Sequence, residues 1–295
     1  MPSGEPSDPR TFQLLRCTLC ASAVTAGEHP GAEAYEHGVY APGPPRAAVA
    51  LGALQRLASL QPVAALGKAG LRPGARVLDA GAGQGRLVAA LRNRGYEATG
   101  IEPSERGAGA ARVAGLPVEP ETIEEHSDSG LAAVVLWHVL EHLGEPAPAL
   151  RRVREWLEPG GLLLIGVPNP ASLQASVGGP GWLHWDAPRH RLHLTPAGLR
   201  SLLRATGFEP IHTEHMVWEH NPAGMWMALL TRAGMAPGLP FHLLKRNARL
   251  RVRDAALLAA GVPLAPAAVA LELLAAARRR GGTFAMVARA APRKA

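Results

Sequence analysis

The sequence predicts an α/β protein in which a parallel sheet is flanked by helices. Three observations carry this reading. Apolar runs of strand length alternate with helical stretches from about residue 76 onward, the first run ends in a glycine-rich turn that opens a helix, and 295 residues at 47% hydrophobic are enough for a sizeable core. With 19% charged residues, and 33 Gly and 27 Pro lacking any strict period, disordered and collagen-like classes are excluded. Two cysteines in a chain this long exclude a disulfide framework.

In chain order, residues 1–45 are polar and rich in Pro and Gly, and read as an extension or lid. They carry Cys17-Thr-Leu-Cys20, which has the spacing of half a zinc ribbon. No second Cys pair follows, and His29 or His37 would be makeshift ligands, so the half ribbon reads as degenerate and no metal is expected. Tyr35 and Tyr40 are candidates to cover a ligand from the lid. Residues 47–68 form an Ala- and Leu-rich helix leading into the main domain, 46–215. There the strands are 76–80, 97–101, 131–137, 161–167 and 208–213, and the helices are 86–94, 105–114, 146–157 and 196–205. The last helix has Thr195 at its N-cap, Pro196 at its first position and Gly207 as its stop. Residues 216–281 read as a helical insertion before a last strand, which starts at about 283 and opens the stretch 282–295 with its basic tail.

Charge is unevenly placed. Residues 1–231 hold 19 Lys and Arg against 22 Asp and Glu, whereas 232–295 hold 12 against 2. The C-terminal basic residues are interleaved with Leu, Ala and Val rather than with aromatic or groove-reading residues. That favours an anionic membrane surface over nucleic acid. The run 255–271 has no charge and is of marginal spanning length, but it is mostly alanine and contains Pro263 and Pro266. An interfacial helical hairpin over residues 249–280 is one expectation, and helices that cover the sheet or form a homodimer face are the other. The absence of a basic and apolar leader, together with the cysteine count, points to a cytoplasmic protein, any peripheral contact being with the inner face of the membrane.

The segment most informative about chemistry is Val77-Leu78-Asp79-Ala80-Gly81-Ala82-Gly83-Gln84-Gly85-Arg86. Glycines at a strand-to-helix turn permit positive φ and let a ligand lie against bare backbone, while amide N–H groups at the helix start favour electron-rich ligand atoms. Dinucleotide sites use G-x-G-x-x-G to fit a pyrophosphate. Here the spacing is G-x-G-x-G, with Asp79 at the strand end, which suits a ligand carrying a positive centre. The next strand ends in Gly100-Ile101-Glu102, and a carboxylate there can accept hydrogen bonds from both hydroxyls of a ribose.

In these blocks, and in the later VVLWHVLEHL, LEPGGLLLIGVPN and PRHRLHLTPAGLRSLLRATGF, the chain resembles the class I S-adenosylmethionine-dependent methyltransferases. The likeness covers about residues 70–215 and is strongest to the small-molecule branch that includes the ubiquinone-type enzymes. It implies a Rossmann-like, doubly wound, seven-stranded sheet in the order 3-2-1-4-5-7-6 with strand 7 antiparallel. It also implies that S-adenosyl-L-methionine is held by Asp79, Gly81, Ala82 and Gly83 at the methionine part and by Glu102 at the ribose, and that Trp137 and His138 lie near the transferred methyl. Two departures stand out: Ala133 replaces the acid that often opens the fourth strand, and Glu121 is the only substitute for the acid expected near the adenine.

The acceptor is expected to be a small molecule or a lipid-like one. Methyl transfer is a displacement governed by alignment, so it does not require a strong catalytic group. Where the acceptor is a hydroxyl or an acidic carbon, a histidine can take the proton near neutral pH. His190 and His193, in the segment 185–193, are the candidates, with His138 beside the methyl. Arg189 could hold an anionic acceptor or pair with Asp186. His138-Val-Leu-Glu141-His142 formally matches the zinc motif H-x-x-E-H, which on a helix would put both histidines on one face, but it directly follows a strand and has no downstream ligand helix. The alternatives to a methyltransferase are an NAD-linked oxidoreductase and a non-catalytic cofactor-binding scaffold.

Overall fold

A computed structural model describes residues 1–4, 10–27, 59–245 and 248–292. These group into two compact units, each drawn from interleaved stretches of chain.

The sheet unit comprises the described residues of Gln55–Val167, Ala197–Glu214 and Ala285–Ala295. Its strands are β3 (Arg76–Ala80), β4 (Glu97–Ile101), β5 (Val118–Glu119), β6 (Leu131–Trp137), β7 (Leu157–Pro168), β9 (Phe208–Glu214) and β10 (Thr283–Ala290). They lie in the order β5-β4-β3-β6-β7-β10-β9, which is the expected order. Pairings β5 to β4, β4 to β3, β3 to β6 and β6 to β7 are parallel, and β10 runs antiparallel to β9 with a bulge at Val287/Ala288. Central parallel strands are covered on both faces, so they read as continuous apolar runs, and Val77, Leu78, Val134, Val135, Leu136, Leu163 and Leu164 are buried accordingly.

The helices of this unit are α1 (Leu60–Lys68), α2 (Arg86–Arg92), α3 (Glu105–Val113), α4 (Pro146–Trp156) and α6 (Pro196–Ala205). In α4, Pro146 occupies the first turn, where its missing N–H costs nothing, and Ala149, Leu150, Val153 and Trp156 form the buried stripe. The strand order reverses between β3 and β6, and at such a switch point an open α/β sheet presents a crevice at the carboxyl ends of its strands.

The second unit gathers the described residues of Met1–Leu54, Pro168–Pro196 and His215–Phe284. A small antiparallel sheet joins β1 (Leu14–Arg16), β2 (Ala23–Thr25) and β8 (Leu192–His193). Its helices are α5 (Leu173–Gly178), α7 (Asn221–Arg232), α8 (Leu239–Leu244), α9 (Val252–Gly261) and α10 (Ala265–Ala277). The Asn221 side chain accepts from Thr283 N at 2.9 Å and donates to Thr283 O at 3.1 Å, and Glu272 Oε1 accepts from Gly282 N at 2.6 Å. α7 and α10 thereby fix the approach to β10.

The expected helical hairpin is corrected here. Residues 252–277 form a single helix of 26 residues, in which a 3-10 turn, Val262–Leu264, joins α9 to α10. Pro263 lies in the 3-10 turn and Pro266 in the first turn of α10, so their missing N–H groups fall together at this junction, and the helix runs through it without reversing the chain.

Candidate functional site

The glycine turn is set by its neighbours. Gly81 has φ +87°, and a Cβ placed on it would lie 2.3 Å from Val139 Cγ2, while Gly81 N and Ala82 N both donate to Ile101 O. Gly83 has φ +53° with open space where its Cβ would be. The two glycines therefore do different jobs. Gly81 is required by the packing of the loop after β6, and Gly83 leaves bare backbone toward the crevice. Gly100 is part of the same arrangement, since a Cβ there would meet Ala82 Cβ at 2.6 Å.

Gly81→Val therefore tests the fold and not the ligand site alone. The variant should lose fold stability, because its side chain combines a left-handed φ with a backbone-proximal clash. Gly83→Ala meets no neighbour and should cost about 1 kcal/mol for its φ, leaving a folded protein that binds cofactor more weakly. Thermal melting beside calorimetric titration separates the two, and equal melting losses for both variants would contradict this division.

Asp79, at the carboxyl end of β3, is 3% exposed. Burial, and then the nearby Glu102 carboxylate, push its carboxyl up to about 7. Glu102, following β4, accepts from Gly83 N through Oε2 and from Ser104 N through Oε1, both at 2.9 Å. Ser104 in turn caps α3 by accepting from Gly107 N at 3.1 Å. A carboxylate has about four lone-pair sites, so Glu102 is anchored on the turn with acceptor capacity to spare.

Trp137 and His138 lie at the end of β6, beside β3. His138 has φ +56°, a strained conformation for a side-chain-bearing residue, and donates its backbone N–H to Gly166 O at 2.9 Å. Its Nδ1 is 2.9 Å from Oε1 of Glu141, a carboxylate only 2% exposed. The H-x-x-E-H segment is thus a strand end followed by one 3-10 turn, Leu140–His142, and not the helix on which both histidines would share a face.

The structure divides the remaining candidates. Glu121 belongs to the sheet unit, where its Oε2 lies 2.7 Å from Nδ1 of His126, a histidine packed edge-on against Trp156. His190 and His193 belong to the second unit. His193 Nε2 is 2.9 Å from Thr25 Oγ1, and the Thr25 hydroxyl donates to His190 O at 2.6 Å, so His193 contributes the other proton and pins β8 to β2. Burial lowers the His193 imidazole to about 4. At neutral pH it is an uncharged and weak base, which departs from the neutral-range base expected of it. His190 donates from Nδ1 to His184 O at 2.8 Å, with Nε2 3.7 Å from Asp186 Oδ2, and Arg189 pairs with Asp186. Cys17 and Cys20 stand in the turn between β1 and β2, and the backbone N–H groups of Cys20 and Leu19 lower the Cys17 thiol. Tyr35, Tyr40, His29 and His37 lie outside the described residues.

A groove of about 530 Å³ in the sheet unit is lined by Arg76, Arg92, Tyr96 and Glu97 at the amino ends of the strands. Ligands of open α/β sheets bind at the carboxyl ends, where Asp79, Glu102 and His138 converge. Sequence reasoning missed Glu141, Val139 and Ser104 as contributors. Glu141 had been visible only as part of a metal motif.

Comparison with known proteins bears on the family and the fold. A family model described as a methyltransferase domain matches residues 52–213. A ubiquinone biosynthesis O-methyltransferase of Cereibacter sphaeroides is 30% identical over 173 residues, covering 54% of this chain and 69% of the relative. One from Azorhizobium caulinodans is 32% identical over 166 residues, covering 50% and 65%. Among solved structures, a Haloferax volcanii methyltransferase in complex with a methyltransferase activator aligns with a TM-score of 0.53 at 14% identity, covering 81% of this chain and 91% of that one. The last likeness bears on the fold alone.

Proposed function

The chain belongs to the methyltransferase-domain family, uses S-adenosylmethionine and acts on a small molecule; from that premise we propose which residues do the work and that the acceptor is a hydroxyl on a largely apolar molecule. The observation that carries the cofactor assignment is Asp79, a buried carboxylate whose ionisation is opposed by its surroundings. A ligand with a positive centre relieves that opposition, and a pyrophosphate would aggravate it. The open backbone at Gly83 and the anchored Glu102 carboxylate complete a cradle that fits S-adenosylmethionine. When bound, this cofactor supplies an electrophilic methyl group on a positively charged sulfur.

In this reading Asp79 faces the cationic end, with Gly81, Ala82 and Gly83 as the floor, and Glu102 receives the ribose hydroxyls on the lone pairs that Gly83 and Ser104 leave over. Glu121, supported by His126, is assigned to the adenine side. Trp137 and His138 border the methyl group. With its Nδ1 proton directed at Glu141, the basic nitrogen of His138 is Nε2, so the pair can accept a proton from an acceptor hydroxyl. Within the second unit His193 holds β8 in place, His190 donates to His184 O and Arg189 pairs with Asp186. Support for an O-linked acceptor comes from the relatives, which are named as O-methyltransferases of ubiquinone biosynthesis. The oxidoreductase and scaffold alternatives are set aside on the family match.

Calorimetric titration tests the cofactor assignment. Glu102→Ala should weaken S-adenosylmethionine binding by about 1.5–3 kcal/mol, the range for hydrogen bonds to a charged group, with the melting temperature within a few degrees of wild type. Unchanged affinity, or tighter binding of NAD than of S-adenosylmethionine, would overturn it.

A further inference from the structure

We propose that the outer face of the helix from Val252 to Ala277 docks on an anionic lipid surface, lying in the interface with its two ends held by arginines. Among the described residues this is the one helix long and apolar enough to cross a membrane, with a mean hydropathy of 1.9. Its polarity is arranged the wrong way round for water. A surface helix normally turns charges outward and apolar residues inward. Here every exposed position from Ala256 to Ala277 is apolar, including Val262 at 64%, Leu273 at 45% and Leu274 at 46% exposure. The one charge between Asp254 and Arg278 is Glu272, which is fully buried and accepts from Gly282 N at 2.6 Å.

The inward face is occupied. Ala268, Glu272 and Ala275 are buried on the side packed against α7, Leu257 and Leu258 pack on the cluster of Leu230, Met235 and Leu239, and Trp226 Nε1 donates to Gly261 O at 2.7 Å. A transmembrane span would have to strip away these contacts and carry the Glu272 carboxylate into lipid, which is costly. At the ends of the outer stripe stand Arg249, Arg251 and Arg253 on one side and Arg278, Arg279 and Arg280 on the other, all exposed. That arrangement suits lipid phosphates, with arginine stems reaching along apolar surface to place the charge among headgroups. It opposes a second copy of the chain, because pairing two such helices, parallel or antiparallel, sets arginines on arginines. The stripe is largely alanine, so apolar insertion is shallow and the charges must supply much of the attraction. Salt sensitivity follows.

The proposal does not rest on the methyltransferase reading, and its test needs no turnover. Full-length protein is floated with vesicles of phosphatidylcholine containing about one-third phosphatidylglycerol, and with pure phosphatidylcholine, at low and high salt. Binding to the anionic vesicles that falls with salt is expected. L273E/L274E should abolish it with an unchanged melting temperature, since both positions are exposed. R278S/R279S should lower the partition coefficient about 25-fold, two arginines at about fivefold each. The proposal is overturned by no binding at low salt, by equal binding to neutral vesicles, by binding that survives L273E/L274E, by resistance to carbonate extraction, which marks a span, or by a concentration-dependent dimer that L273E/L274E dissolves.

Discussion

Replacing Asp79 with Asn should make the ligand-free protein more stable at pH 8 while largely removing its affinity for cofactor. The folded carboxyl titrates near 7 against a reference value of 3.8, with burial as the larger cause and Glu102 the second. A carboxyl raised by folding binds its proton more tightly in the native state. Stability therefore declines as pH rises from about 4 to about 7 and levels off above that. At roughly 1.4 kcal/mol per pKa unit, the cost of holding Asp79 ionised at pH 8 is on the order of 4 kcal/mol. Asparagine carries no charge and escapes it. The variant should melt higher than wild type at pH 8, and the gap should close toward pH 4. Binding should show the converse. Wild-type affinity for S-adenosylmethionine should rise with pH up to about 7, by at most about tenfold per unit, and then flatten. In Asp79→Asn it should be weak and flat. Melting curves and titrations across this range check both halves, and an Asn variant less stable than wild type at pH 8 would show that the carboxylate is satisfied by the fold itself.

The second large effect is expected at His138. His138→Ala should lower turnover about 100-fold or more, the usual yield of a positioned general base, with S-adenosylmethionine affinity within a few-fold of wild type. Glu141→Gln should fall between the two and shift the acidic limb of the pH–rate profile downward, because a neutral amide no longer stabilises the imidazolium. Phenols and catechols bearing apolar tails, compared with amines, are the acceptors to assay. If His138→Ala turned over within a few-fold of wild type, the pair would be structural, holding the strained end of β6.

The strands of the large sheet were legible because central parallel strands are mostly apolar and are bounded here by turn and helix signals. Arg76–Ala80, Glu97–Ile101 and Leu131–Trp137 were readable to the residue. Val118–Glu119 was not, since two residues carry no periodicity. The pairing of Ala23 with His193 joins three-residue and two-residue strands far apart in sequence, and no local pattern announces it. The turn glycines were recognised, but the reason for Gly81 lay in Val139, which is reached only through the fold. His138 and Glu141 were seen at the right spacing and given the wrong geometry, because the motif's familiar setting is a helix while this chain places it at the end of a strand. The stop implied by Pro263 and Pro266 failed because a proline in a first turn starts a helix as readily as it ends one.

β10 lies between β7 and β9, yet it is synthesised after both and after the 68 residues that separate Glu214 from Thr283. Until it arrives, β7 has an unpaired rim and β9 has no neighbour, so the sheet cannot close in the order in which the ribosome delivers it. Relative to a hairpin of about four residues, joining the ends of so long a connection costs roughly 2.5 kcal/mol more in loop entropy. That penalty shrinks if α7 and α10 assemble first, because Asn221 and Glu272 then present the Gly282–Thr283 backbone already oriented. Weakening those two side chains should therefore slow the final closure of the sheet and lengthen the time its exposed rim is open to aggregation.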